Sequence, residues 1–484
     1  MLQGLAQDKQ RMNIIFILAD DHRYDAMGFM NKIPGLQTPS MDRMATEGAH
    51  MKNAFVSTAL CSPSRASILT GQYAHTHTVV DNDAPLPANL RFFPQDLQKA
   101  GYQTAFMGKW HMGHADDQPQ PGFDYWLSFQ GQGVYYSPMF NINGKRVQQP
   151  DSSYISDLLT DHAIEWLDKT NKKKPFFLYL SHKGVHAEFQ PAKRHRGKYA
   201  DIEIVSPPSM YLTATDSSRI FGKVTSPTTA VNYRDIPSWV RKQRYSWHGV
   251  DYMYHGAIKF DEFYRLYLET LMAVDESIGR VIDWVEANGL GKNTMVVYMG
   301  DNGFSFGEHG LIDKRHAYEE SMRVPLLIWA PGMVKPRSVV ESVVMNVDLA
   351  PTFLDMAGVA TPSRMQGFSF LDVLKGNATK WKRDKVFYEY YWESAFPQTP
   401  TCFSVRTSKY KYIYYNGVWD INELFDLEAD PYEMNNLIRD PAYRDIGLKL
   451  KKELFDWLKE TNGLQIPLKP TINNRIDNLY KGTY

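Results

Sequence analysis

The run Ile14-Ile-Phe-Ile-Leu-Ala19 has no polar break and stops at Asp20-Asp21-His22. A strand with one wet face alternates apolar and polar residues, whereas a strand covered on both faces is apolar throughout. The run therefore predicts an interior strand of a sheet with helices on both sides. Similar runs recur at Phe176–Ser181, Thr294–Met299 and Val324–Trp329, and helical periodicity lies between them at Ser156–Lys169 and Phe260–Asn288. Strands alternating with helices specify an α/β protein with a mainly parallel sheet flanked by helices. Ligands of such sheets gather beyond the carboxyl ends of strands. Asp20-Asp21 and Asp301-Asn302 fall at two such ends.

The texture changes after about residue 380. Val386–Trp392, Cys402–Arg406 and Tyr410–Tyr415 read as short aromatic-rich strands, followed by a helix over Asp445–Thr461. We therefore expect a main α/β domain over 12–380 and a smaller C-terminal subdomain of antiparallel strands plus a helix over 381–484, packed so that it completes the pocket. The stretch Ile202–Trp247, rich in Pro, Ser, Thr and Tyr and without a period, reads as a long surface insertion near the active site. Residues 1–11 read either as a short disordered N-terminus or as the small-residue end of a signal peptide. No run approaches the roughly 20 apolar residues of a membrane span. With 54 basic and 54 acidic side chains the formal net charge is zero, which argues against nucleic acid or an anionic membrane held by bulk field. Any anion site must be a local concentration of positive groups.

Two acidic groups at neighbouring strand ends, Asp20-Asp21 and Asp301 with the Asn302 carbonyl, form an all-oxygen set for a hard cation, Ca²⁺ or Mg²⁺. Taken singly, each aspartate also suits the cap of a turn. Two cysteines, Cys61 and Cys402, rule out a disulfide framework. Cys402 reads as a buried apolar residue. Cys61 precedes a Ser-Pro turn and an apparent helix, a position that favours bound anions and thiolate-like nucleophiles, although a half-buried cysteine before a capped helix looks the same. Gly108-Lys109-Trp110-His111 sets Lys109 and His111 on one side of an extended segment; His182 and His186 follow one strand, and Lys314 with Arg315 and His316 follows another. A cation, a nucleophile and several positive donors suit hydrolysis of an anionic ester.

Cys61-Ser-Pro-Ser-Arg65-Ala-Ser-Ile-Leu-Thr-Gly71 resembles the signature of type I, formylglycine-dependent sulfatases. Asp20-Asp21, Gly108–His111, Asp301-Asn302-Gly303 and Glu423–Leu427 with Asp430-Pro431 match the other landmarks of that family in order, over about residues 12–465. The resemblance implies an alkaline-phosphatase-like fold. It implies that Cys61 is the precursor of formylglycine, whose hydrate attacks sulfur and later expels sulfate by returning to the aldehyde. It also implies that Asp20, Asp21, Asp301 and Asn302, with the residue formed from Cys61, hold the cation. Arg65 would position the formylglycine, and Lys109 and Lys314 would neutralise sulfate oxygens. Where the family has a Pro-His pair, this chain has Val185-His186. His186 aligns as the acid for the leaving alcohol, His111 serves the diol, and His182 is extra.

Within the family, His77–Asn82, Ile142–Lys145, Ile312–Arg315, Asn346–Pro351 and Thr401–Arg406 resemble the N-acetylglucosamine-6-sulfatase branch, which includes enzymes of glycosaminoglycan and mucin-type glycan degradation. The implied partner is a sulfated oligosaccharide or polysaccharide, met in the periplasm or outside the cell. Candidate sugar contacts are His77, Asp81, Asn82, His182, Trp247, His248, Glu389 and Arg406, with Tyr390 and Trp392 beside them; each also has a plain structural role open to it. Alternatives are a sulfatase for uronic acid, galactose or algal sugar esters, and a phosphonate or phosphate monoester hydrolase. A catalytically silent sugar-sulfate binder is disfavoured, because Cys61 and the cation ligands are all present.

Overall fold

The computed structural model describes residues 11–113, 116–213, 223–224, 235–417 and 420–467. Most of the 1–11 segment, the middle of the 202–247 insertion and the end of the expected subdomain lie outside the described residues. In chain order the main sheet comprises β1 (Asn13–Ala19), β2 (Ala49–Met51), β3 (Gln103–Lys109), β4 (Tyr125–Phe129), β5 (Met139–Ile142), β6 (Lys145–Gln148), β7 (Phe176–Ser181), β8 (Thr294–Gly300), β9 (Leu326–Trp329) and β10 (Ser338–Val340). Their spatial order is β10-β2-β9-β8-β1-β7-β3-β4-β5-β6. The central five, β8-β1-β7-β3-β4, run parallel, so their carboxyl ends share one edge. The expected strand at Val324–Trp329 starts only at Leu326 and runs antiparallel to β8. Pro325, which has no N–H to give a ladder, sits just before it.

Strand β1 shows why its apolar run has no break. Ile14, Phe16 and Leu18 enter one core, and Ile15, Ile17 and Ala19 enter the other. Each buried Ile or Phe there contributes about 1.5–3 kcal/mol by leaving water. Helices α1 (Cys61–Thr70), α2 (Ile155–Lys169) and α3 (Phe260–Ala287) follow; α2 and α3 confirm the two periodic segments. Helix α1 is different, because every residue of it is buried. Its small polar side chains find partners instead of water: Ser64 Oγ accepts from Asn346 Nδ2 at 3.0 Å, and Ser67 Oγ meets His77 Nε2 at 3.0 Å.

The C-terminal strands β11 (Val386–Tyr390), β12 (Cys402–Arg406), β13 (Tyr410–Tyr415) and β14 (Glu423–Asp426) form an antiparallel sheet in sequence order, and α4 (Arg444–Glu460) packs on it. Tyr388, Val405 and Leu454 join the same core as Ile14 and Phe16. Cys402 is buried in that core.

Candidate active site

Four neighbouring strand ends converge. Strand β1 delivers Asp20 and Asp21, β8 delivers Asp301 and Asn302, β3 ends at Lys109, and β7 runs into His182–His186. The approach of β3 to β7 depends on Gly108, whose φ is +119°. A Cβ there would stand 1.8 Å from the Ser181 carbonyl oxygen, so no other residue fits without moving the strands. The same contact aims the Lys109 carbonyl at Arg65 Nη1, 2.7 Å away, and at Ser181 Oγ, 2.8 Å away.

Helix α1 carries Cys61 in its first turn, and Asn82 Oδ1 accepts from the Ser62 N–H at 3.1 Å, satisfying one of the free donors at that helix end. One turn later Arg65 lies fully buried and fixes Asp301 through a hydrogen bond from Nε to Oδ2 at 2.9 Å and an ion-pair contact of Nη2 with the same oxygen at 2.7 Å. Cys61 Sγ donates to Asp20 Oδ1 at 3.4 Å, and Lys314 Nζ lies 3.3 Å from the same sulfur. Lys109 Nζ donates to Asp20 Oδ2 and, at 2.5 Å, to Gln132 Oε1. Lys314 Nζ donates to Asp21 Oδ1, which also accepts from Asn302 Nδ2 at 2.7 Å. Asp21 has φ +53° and gives its N–H to Asp301 Oδ1 at 3.0 Å.

The donor set fits a hard cation. Carboxylate oxygens of Asp20, Asp21 and Asp301 lie within 4.8 Å of one another. Asp21 Oδ2 and Asn302 Oδ1 are buried with no hydrogen-bond partner among the described residues, a costly state that a cation would relieve. Electrostatics agree. Burial raises Asp21 to about 7 against the pull of Lys314, and burial with Asp20 raises Asp301; Asp20 is held well below the carboxylate range despite burial, by Lys109 above all. Three crowded carboxylates of this kind call for positive charge between them.

Two expectations change in detail. The helix end does not make Cys61 a thiolate: burial, with Asp20 next, pushes the thiol up to about 12. The extended segment through Lys109 ends there, since His111 has φ +54°. His111 nevertheless faces Lys109 and Asp20 electrostatically, and burial followed by Lys109 holds it, like His186, well below the usual imidazole range. His186 Nε2 is 3.9 Å from Asp21 Oδ2.

The expected sugar contacts divide into two groups. Trp247 and His248 border the site: His248 Nε2 is 3.3 Å from Asp313 Oδ2, and on Phe396 the His248 ring stacks while the Trp247 ring packs tilted. Asp81 accepts from the Asp83 N–H in the turn that leads to Asn82. Four others are engaged elsewhere. His77 has both ring nitrogens committed, to Ser67 Oγ and to the Val79 N–H. His182 meets Ser277 on α3. Glu389 pairs with His75 at 2.8 Å, and Arg406 with Glu319. A helix-turn histidine or a strand-end arginine looks the same in sequence whether it faces a ligand or a neighbour. Tyr390 donates to Glu393, and Trp392 is 43% exposed.

Sequence reading gave no site role to four side chains, although it noted Arg315 beside Lys314 and the Ile312–Arg315 segment. Gln132 stands beyond β4, the next parallel strand end, and holds Lys109. Lys183 follows β7. Asp313 and Arg315, at φ +84° and +87°, flank Lys314; Arg315 pairs with Asp313 and, at 3.0 Å, with Glu393. Position after a parallel strand was the signal for the first two.

A site of this kind, with a nucleophile position at a buried helix start, a cation cradle and lysines at one sheet edge, belongs to an anionic-ester hydrolase of the α/β class. The comparisons make the class specific. The Sulfatase family model matches residues 12–359, and the model for the C-terminal region of N-sulphoglucosamine sulphohydrolase matches 307–460. An N-acetylglucosamine-6-O-sulfatase of Bacteroides thetaiotaomicron is 35% identical, over 94% of this chain and 87% of its own. An N-acetylglucosamine-6-sulfatase of Capra hircus is 28% identical, over 90% and 82%. A solved structure of a protein in complex with its substrate D-glucosamine-2-N,6-O-disulfate superimposes with TM-score 0.81 at 34% identity, covering 95% of this chain and all of that one. The chain belongs to the sulfatase family and is a sulfuric ester hydrolase of alkaline-phosphatase-like fold.

Proposed function

We propose that the protein removes the 6-O-sulfate from N-acetylglucosamine or related glucosamine units of a glycosaminoglycan or mucin-type glycan, in the periplasm or outside the cell. The relative that is 35% identical over nearly the whole chain and bears the name of that reaction carries this reading. The solved relative holding a 6-O-sulfated glucosamine supports it.

We assign Cys61 as the formylglycine precursor. A buried thiol held at about 12 is a poor nucleophile as it stands, which supports its conversion. The hydrated aldehyde would supply an oxygen nucleophile that can leave sulfate again by elimination. Asp20, Asp21, Asp301 and Asn302 would hold Ca²⁺, with Mg²⁺ as the alternative, and the cation would offset sulfate charge and favour ionisation of the diol. Arg65 fixes Asp301 and so the cradle. Lys109 and Lys314, both at the Asp20–Cys61 corner, face the sulfate oxygens. His186 stands opposite Asp21 and would be proton donor to the leaving alcohol once a bound sulfate offsets the lysine charges that, second to burial, hold its imidazole low, and His111 would serve the diol. The 381–484 region completes the pocket in this reading; Glu393 and Phe396, both on Arg315, support it.

The test is desulfation of defined 2-, 3-, 4- and 6-O-sulfated sugars followed by chromatography, with a phosphate monoester alongside. Preference for the 6-O-sulfate of glucosamine is expected, and preference for phosphate or another position overturns the substrate assignment. Peptide mass spectrometry of active protein should find the aldehyde at position 61; a thiol there refutes the nucleophile.

A further inference from the structure

At the reaction centre each cation but one has its own carboxylate. Arg65 has Asp301, Lys109 has Asp20 and Lys314 has Asp21. Lys183 is the exception: among the described residues no carboxylate lies within ion-pair distance of its ammonium. It is nevertheless only 4% exposed, and its Nζ stands 4.6 Å above the centre of the Tyr135 ring. Tyr135 in turn donates to the His186 carbonyl at 2.6 Å, which fixes the ring that the lysine rests on.

Lys183 lines a cavity of about 340 Å³ together with Gln132, Tyr135, Tyr136, His186 and Gln190. Two of those residues touch the centre directly: Gln132 holds Lys109, and His186 faces Asp21. The charges that act on Lys183 are those of the centre itself, Lys109, Asp20 and Asp21. A nearly buried ammonium over an aromatic face gains something from the ring, but a buried charge without a counter-ion is costly. With Arg65, Lys109 and Lys314 each paired to a carboxylate, Lys183 is the ammonium of the centre left to meet the negative charge that a sulfate monoester brings.

We infer that Lys183 is a third lysine of the sulfate subsite, its ammonium contacting an oxygen of the ester sulfate under attack. The inference rests on the sulfatase assignment and adds a residue to it. Burial, with Lys109 next, lowers the lysine to about 8, so an arriving anion also secures its proton.

Lys183→Met removes the charge and keeps the volume, and Lys183→Arg keeps the charge. With cation-loaded enzyme, Lys183→Met should lower kcat/KM for 6-O-sulfo-N-acetylglucosamine about 100-fold, the scale of one lost charge-stabilising donor. It should weaken inhibition by inorganic sulfate about 10-fold, with Tm and aldehyde content at position 61 unchanged. Lys183→Arg should recover much of both. Sulfate inhibition equal to wild type overturns the inference. So does a loss seen with glucosamine-2-N,6-O-disulfate but not with the monosulfate, which would put Lys183 on the second anion. Should Lys183→Met fail to fold, Lys183→Gln carries the same comparison. If wild type hydrolysed no sulfate ester, the functional assignment would fall, while calorimetric binding of inorganic sulfate to wild type and variant would still decide for or against Lys183.

Discussion

The molecule buries charge in two places, and they behave oppositely. Under the C-terminal sheet, Glu319 accepts both arms of Arg406 at 2.9 and 3.1 Å and also lies 2.8 Å from Lys411. Lys411 reaches Glu433 at 2.8 Å, and Glu423 accepts from the hydroxyls of Tyr318 and Tyr415. These groups face one another and tie β12–β14 to the main domain. At the edge of the main sheet, by contrast, Asp21 Oδ2 and Asn302 Oδ1 have no hydrogen-bond partner among the described residues, and none of the described carboxylates lies within ion-pair distance of Lys183. Burial of charge does not by itself mark a site. What marks it is charge that the protein leaves for something else to complete.

Four substitutions or treatments separate the two regions. The largest effect belongs to Cys61→Ala, which should cost about 10⁴-fold or more in turnover with an unchanged circular dichroism spectrum; retained turnover would break the assignment. Chelation should come next, lowering activity about 1,000-fold, with recovery on adding Ca²⁺ and a Tm that rises with the cation. In the other cluster Lys411→Met should do the reverse, costing about 3–5 kcal/mol of stability by stranding Glu433, whose ion pair is with Lys411, while kcat/KM of the folded protein holds. A fall in kcat/KM at constant Tm would erase the distinction. The smallest effect is on pH dependence. Burial raises Glu423 to about 8, so the folded state holds a proton that the unfolded chain releases in the ordinary carboxyl range. Stability should therefore be fullest below that range and decline as pH rises toward 8. Glu423→Gln should flatten this slope in Tm measured from pH 5 to 9.

Much of this was legible in the chain. Unbroken apolar runs at Ile14–Ala19 and Thr294–Met299 mark strands covered on both faces, and the residues after them had to meet at one edge. The order of motifs around Cys61 did the rest. Side-chain direction was not legible. Glu389 and Arg406 lie on strands that alternate faces, and both point to partners, His75 and Glu319, that are more than 80 residues away in sequence. The strand Glu423–Asp426 stood out as a motif, yet its glutamate anchors tyrosines. Lys183 was hidden for the opposite reason: its identity is ordinary, and only the missing partner distinguishes it.

Helix α1 has a consequence in time as well as space. Cys61 is wholly enclosed, with the rest of its helix, between the sheet edge and Asn346. Another protein's active site cannot reach a side chain with no exposed surface. If Cys61 is the formylglycine precursor proposed above, its oxidation by another protein would have to precede closure of the chain, and synthesis, modification and folding would form an ordered sequence. On that proposal a chain that folds first would keep its thiol, and refolding in the presence of the modifying protein, rather than later addition of it, would be the route to activity.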